Sequence, residues 1–258
     1  ALALFGPNGQ RIVPTSVTLG GPPYSYVATV PKPGRGKWHA VLGDGNRVEA
    51  CQSIRVSGRA KKPVAGDPAG PAWALRSKWT MATENLYSAF VERLLDYPLD
   101  DSLTWPNLHT LLQDADHNLL FDHLQRGEDA ALSLVPDCAD LPYTLRAYFA
   151  WKMGLPFGYL RCNRDGNHGA PGCRTEEAGD NLLSRAPFTK KDDIGAFLTF
   201  TNRYVRNFVH SASGRTRPDD EISDFYPVAL TRAALKPGTV YADPYGHLLI
   251  IADWIPQG

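Results

Sequence analysis

Residues 61–72, Lys61-Lys62-Pro63-Val64-Ala65-Gly66-Asp67-Pro68-Ala69-Gly70-Pro71-Ala72, contain three prolines and no hydrophobic period. A helix interior or a central strand does not accommodate proline at that density. The chain is therefore predicted to divide there, with a linker or surface strap between two differently patterned parts. In residues 1–60, short segments of partial alternation (Val17–Leu19, Tyr24–Val30, Lys37–Leu42 and Arg47–Val56) alternate with turn chemistry such as Gly20-Gly21-Pro22-Pro23 and Gly43-Asp44-Gly45-Asn46. That spacing predicts a small β-sandwich or SH3-like module, with Asp44-Gly45 as a hairpin turn and Cys51 as a small buried apolar residue. Ala1–Phe5 reads as the remnant of an apolar stretch, left either where a leader was removed or where the chain begins inside a longer protein.

From Trp73 the period changes to helical. Leu86, Phe90, Val91, Leu94 and Leu95 recur at helix spacing after Thr83, which is a candidate N-cap, and Tyr97-Pro98 ends the run. Further helices are predicted over Pro106–His123, from near Cys138 to Gly154, and over Lys191–His210. Strands are predicted at Phe157–Arg161, around Val240, and over His247–Trp254. Residues 73–258 thus read as an α+β domain with its key helix packed on an antiparallel sheet.

Equal numbers of basic and acidic side chains, 27 of each, argue against a general nucleic-acid binder. No apolar run approaches the roughly 20 residues that span a bilayer. Cys162 and Cys173 bracket a polar, glycine-rich loop, and a disulfide between them is expected, which would place the protein outside the cytoplasm. A metal site including His168 is the alternative, although neither spacing nor ligand count matches a zinc finger. No metal or other cofactor is expected, and the chain is read as a monomer. The acidic stretch Asp114, Asp116, Glu128 and Asp129 reads as a solvated face, and 215–221 as an exposed loop.

Pro136-Asp137-Cys138-Ala139-Asp140-Leu141-Pro142 places a cysteine at a helix start. Asp137 can cap the helix, Pro142 suits its first turn, and the dipole there favours a thiolate. The alternative is a buried structural cysteine or a partner for Cys51. A nucleophilic thiolate needs a base. Among seven histidines, His247 is distinctive because it follows Gly246 and opens the apolar run Leu248–Ile251.

Asp137-Cys138-Ala139-Asp140-Leu141, a helix, then Gly154-Leu155-Pro156 resembles the Asp-Cys-Ser-Gly-Leu/Phe segment of NlpC/P60-type cysteine peptidases. Pro237-Gly238-Thr239-Val240-Tyr241 and Gly246-His247-Leu248-Leu249-Ile250-Ile251 resemble that family's Pro-Gly-Asp and His-bearing strands. Ala139-Asp140 stands where the family has Ser-Gly, and Thr239 where it has Asp. Transglutaminase-like domains resemble residues 138–156 equally well. The resemblance implies a papain-like (NlpC/P60-like) fold and a cysteine hydrolase cleaving peptide amides of cell-wall peptidoglycan in a periplasmic or secreted setting. Cys138 would be the nucleophile and His247 the base. The oxyanion would be held by the Cys138 N–H and a side chain, with Asn118 as candidate. An orienting group for His247 is implied about a dozen residues later, past Gly258, and Asp243 is the candidate within the chain. Acyl transfer to an amine, or an inert cell-surface binding protein on the same fold, are the competing functions.

Overall fold

The computed structural model describes residues 1–12, 16–20, 24–44, 46–58, 71–100, 103–163, 172–180, 192–209, 224–242 and 247–255, with backbone alone for 16–20, 24, 162–163 and 172–180. It divides into two compact units, Ala1–Lys61 and Lys62–Gly258. The stretch read as a linker lies almost wholly outside the described residues. Among those residues, no helix is long and apolar enough to cross a membrane.

In the first unit, β1 (Leu2–Phe5), β2 (Arg11–Ile12), β5 (Gly36–Gly43) and β6 (Val48–Val56) form an antiparallel sheet in the order β2-β1-β5-β6. A separate antiparallel hairpin joins β3 (Ser16–Gly20) and β4 (Tyr24–Ala28). Leu2, Ala3, Leu4 and Phe5 pair with Leu42, Val41, Ala40 and His39 as an inner strand. Trp38 is buried and donates its indole N–H to the Gly34 carbonyl at 2.8 Å. Cys51 is exposed rather than buried, because β6 is the edge strand and stands open to solvent from Val48 to Arg55.

The second unit is a mixed α+β arrangement built around one buried helix. α1 (Met81–Leu94) is capped by Thr80, not Thr83: Thr80 Oγ accepts the Thr83 N–H, while Thr83 Oγ accepts the Thr80 N–H. Reciprocal capping of this kind satisfies two N–H groups at once. α2 is only Leu108–Leu112, far shorter than the expected 106–123 helix. Beyond it, Asp114 Oδ1 accepts the Asp116 N–H and Asn118 Oδ1 the Leu120 N–H, each at 2.9 Å. These local bonds offer the backbone an alternative to helix, so the run breaks into turns and a short 3-10 segment at Glu128–Ala131.

α3 (Leu141–Met153) runs through the core, with Leu145, Ala147, Tyr148, Phe149 and Ala150 all at most 1% exposed. Phe90 of α1 packs on Tyr148 and Phe149 with centroids 5.8 Å apart in both pairs, and Trp151 stacks on Phe197 at 4.2 Å. Each such ring removed from water stabilises by about 1.5–3 kcal/mol. Gly154 ends α3 in the left-handed region at φ +66°, and the Leu155 N–H closes back on the Ala150 carbonyl at 2.8 Å. Trp73 and Trp79 then pin the exit by donating to the Leu155 and Pro156 carbonyls.

α4 (Asp193–Thr199), a π-helical turn (Phe200–Val205) and α5 (Arg206–Phe208) make the expected 191–210 helix a continuous but irregular one. β7 (Gly158–Asn163) pairs antiparallel with β8 (Gly172–Asp180), and β9 (Val240–Ala242) with β10 (Leu248–Ile250). The described strands of this unit thus form two separate two-stranded ladders rather than the single sheet expected. β8, Gly-Cys-Arg-Thr-Glu-Glu-Ala-Gly-Asp, has little strand propensity of its own, and its register with β7 defines it. That register sets Cys162 opposite Cys173. Their side chains, and with them the expected disulfide, lie outside what is described.

Candidate active site

Asp137 builds the turn that presents the cysteine. Its Oδ1 accepts the N–H groups of Ala139 (2.7 Å) and Asp140 (3.1 Å), and its carbonyl accepts the Leu141 N–H at 3.0 Å. Residues 138–140 therefore wind directly into α3, and Cys138 sits exposed at the positive end of that helix. The N-cap position of α3 is Asp140, whose side chain makes no cap bond, so Asp137, expected to cap the helix, fastens the turn before it instead.

The opposite wall is the β9–β10 ladder. Leu248 pairs with Ala242 and Ile250 with Val240, and the ladder base is tied by Gly238 N–H to Ile251 O and Ile251 N–H to Thr239 O. Gly238 adopts φ +90°, and a Cβ there would stand 2.7 Å from the Tyr87 ring of α1, so glycine is required for the ladder to seat. Leu248 is buried in the core, and β10 lies against α3. One residue before it, His247 is exposed at the strand mouth.

There the two meet. His247 Nδ1 lies 3.3 Å from Cys138 Sγ, across 109 residues of sequence. This is proton-transfer distance for a thiol and an imidazole. Two other histidines of this unit are engaged elsewhere: His109 Nδ1 bonds to Leu134, and His117 bonds to Asp114 and stacks on Tyr97 at 4.0 Å. His168 and His210 lie outside the described residues.

Asn118 is not available as an oxyanion donor. It is buried, and its amide N–H groups donate to the Leu112 carbonyl (2.6 Å) and the Tyr148 hydroxyl (2.8 Å). Tyr148 in turn donates to Asp129, and Asp129 with Glu128 holds the fully buried Lys152 ammonium. The acidic stretch read as a solvated face thus supplies, in Glu128 and Asp129, the counter-charges of a buried lysine. Asp243 lies outside the described residues. Among the described residues, His247 Nε2, the nitrogen facing away from the sulfur, has no hydrogen-bond partner.

Asp140 went unnoticed in the sequence as anything but an oddity. It is 1% exposed, and Asp137 N–H donates to its Oδ2 at 3.4 Å. Burial pushes its carboxyl up to about 7, and its hydrogen bond to Asp137 and that residue's charge act in the same direction. Burial also works against ionisation of Asp137, yet the bond from Asp140 and the two turn N–H groups hold Asp137 below the ordinary carboxylate range.

The same unit holds a cavity of about 1140 Å³, lined by Trp79, Tyr143, Arg146, Phe225, Lys236 and Tyr241 among others but by neither Cys138 nor His247. Pro142, one helical turn from Cys138, and Ala242, the cross-strand partner of Leu248, are part of its wall. Arg146 is held bidentate by Glu84 and lies over the Trp79 ring, 3.6 Å from its centroid. Tyr143 donates to Asp224, whose carboxyl burial raises to about 6. No known protein family, curated protein or solved structure matches the chain.

Proposed function

We propose that this chain is a cysteine hydrolase of papain-like, NlpC/P60-like character that cleaves peptide amides of cell-wall peptidoglycan outside the cytoplasm. The observation that carries the reading is the 3.3 Å approach of His247 Nδ1 to Cys138 Sγ, with a helix start on one side and a strand mouth on the other. Two further features support it. Both side chains are exposed, as groups that must meet a macromolecular substrate have to be. The cavity that Pro142 and Ala242 help to line, within a few residues of Cys138 and His247 in sequence, is large enough for several substrate residues.

The chemistry follows from the groups. His247 Nδ1 takes the thiol proton, and Cys138 Sγ bonds to the carbonyl carbon of the scissile amide. The oxyanion that forms is held by the Cys138 backbone N–H at the helix start. His247 returns the proton to the departing nitrogen as the C–N bond breaks, leaving a thioester. Water, deprotonated by His247, then releases the carboxylic acid and restores the thiol.

The test is incubation with purified cell-wall peptides, with products read by mass spectrometry. A new amine and a new carboxylate are expected from the wild type and neither from Cys138→Ala or His247→Ala. Cleavage that survives Cys138→Ala would overturn the assignment. Products formed without an added nucleophile separate water from amine as the acceptor, because hydrolysis leaves a free carboxylate and acyl transfer a new amide; added hydroxylamine should trap the shared thioester as a hydroxamate.

A further inference from the structure

We propose that Asp140 is a positioning residue of the Cys138–His247 pair: locked to Asp137 around the cysteine's turn, it holds the thiol in place and, on ionising, sets a second negative charge beside it. The inference rests on the hydrolase reading above and adds a group which that reading does not use.

The lock is reciprocal. Asp137 Oδ1 accepts the N–H groups of Ala139 and Asp140, while Asp137 N–H donates to Asp140 Oδ2. The bonds close on either side of Cys138, so its backbone is the apex of a turn fastened at both ends. Asp140 Oδ1 is buried with no hydrogen-bond partner among the described residues. An ionised oxygen at that position loses its water and gains no donor, which makes the neutral acid the favoured form. A neutral Asp140 can donate to the Asp137 carboxylate, and the two share one proton, as carboxyls at close quarters do.

Among the described residues, two charged groups act on Asp140. Asp137 on its own turn opposes its ionisation, and Arg206 of α5 favours it. Cys138, two residues before it in the same turn, carries the contact to His247. Because the Asp140 carboxyl titrates at about 7, the turn carries one negative charge below neutrality and two above it. The second charge opposes a thiolate and favours a protonated imidazole, so it shifts the pH window of the pair. It is also the residue at which this chain departs from the Gly of the family it resembles, and a glycine can do none of this.

The experiment is iodoacetamide alkylation of Cys138 in the full chain from pH 5 to 9, followed by peptide mass spectrometry. The infrared carboxylic-acid band is recorded in parallel. The wild type is expected to show an inflection near pH 7 in the alkylation rate, at the pH where a buried acid band disappears. Asp140→Asn still donates to Asp137 but cannot ionise. It is expected to keep the wild-type rate at pH 6 and to lose both inflection and band. Asp140→Ala removes the lock and is expected to react about tenfold more slowly at pH 6, the value of one hydrogen bond to a charged group.

An inflection that persists in Asp140→Asn, or an Asp140→Ala rate equal to wild type, would overturn the proposal. Should Asp140→Ala fail to fold, Asp140→Asn and the wild-type band decide alone. His247→Ala, run alongside, keeps the two ideas separate. A wild-type rate indifferent to His247 removes the catalytic pair, whereas a missing acid band removes the carboxyl lock.

Discussion

Replacing Lys152 with Met should be among the most damaging single changes in the second unit. The ammonium is fully buried and lies between Glu128 Oε1 and Asp129 Oδ2, both likewise buried. The surviving donors are the Leu124 and Arg126 N–H groups to Glu128, and the Asp122 N–H and Tyr148 hydroxyl to Asp129. They are too few to stabilise two adjacent anions without the cation. Removing one partner of a buried ion pair costs about 3–5 kcal/mol. For a unit of this size that corresponds to a Tm lower by about 6–20 °C.

The sign with pH is also determined. Burial works to raise the Glu128 carboxyl, but the bond and charge of Lys152 together with the backbone N–H bonds outweigh it and hold it well below the ordinary range. Its contribution is therefore present above the unfolded value of about 4.3 and is lost as pH falls below that. The gap between wild type and Lys152→Met, read by urea denaturation at pH 7 and pH 3.5, should shrink on acidification. Combining Lys152→Met with Glu128→Gln and Asp129→Asn should recover most of the loss at pH 7, because no uncompensated charge remains. A single-variant loss under about 1 kcal/mol, or a gap that widens in acid, would refute a charge-compensated core.

Other outcomes follow from the same geometry. Gly154→Ala should lower stability by about 1–2 kcal/mol in thermal melts, because a Cβ at φ +66° is strained and would stand 2.9 Å from Arg76 Cβ. Asp224, raised to about 6, contributes stability in full below its unfolded value of about 3.9 and loses it as pH rises through 6. Asp224→Asn should thus match wild type near pH 3.5 and exceed it by about 1–3 kcal/mol at pH 8, as judged by denaturation at the two pH values. Thr80→Ala should cost about 1 kcal/mol through the lost reciprocal cap of α1, measured in the same way.

The elements most legible in the sequence were those whose signal is local. Four of the first unit's strands are bracketed by Gly and Pro turns, and α3 is bounded by Pro142 and Gly154. Cys138 and His247 were legible for the same reason, since a helix-start cysteine and a glycine-preceded strand histidine each declare themselves within a few residues. What was hidden depends on distant partners. β1 is a strand because β5 lies beside it, and β8 because β7 does. The 106–123 helix breaks because Asp114 and Asn118 find nearer bonds, and Glu128 and Asp129 are buried because Lys152 arrives from α3. Asp140 is the sharpest case. In the sequence it is no more than an unusual neighbour of Cys138, and only its burial against Asp137 marks it out.

The central claim is that His247 activates Cys138, and the chain carries its own reference thiol in Cys51, which is also exposed but stands on the edge strand β6. The measurement is the ratio of Cys138 to Cys51 alkylation by iodoacetamide at pH 6, peptide by peptide, in wild type and His247→Ala. At that pH an ordinary thiol, ionising at about 8.5, is almost wholly protonated. The wild-type ratio should exceed about 10 and fall towards 1 in His247→Ala, since only the thiolate reacts. A ratio near 1 in the wild type, or one unmoved by the histidine substitution, would contradict it.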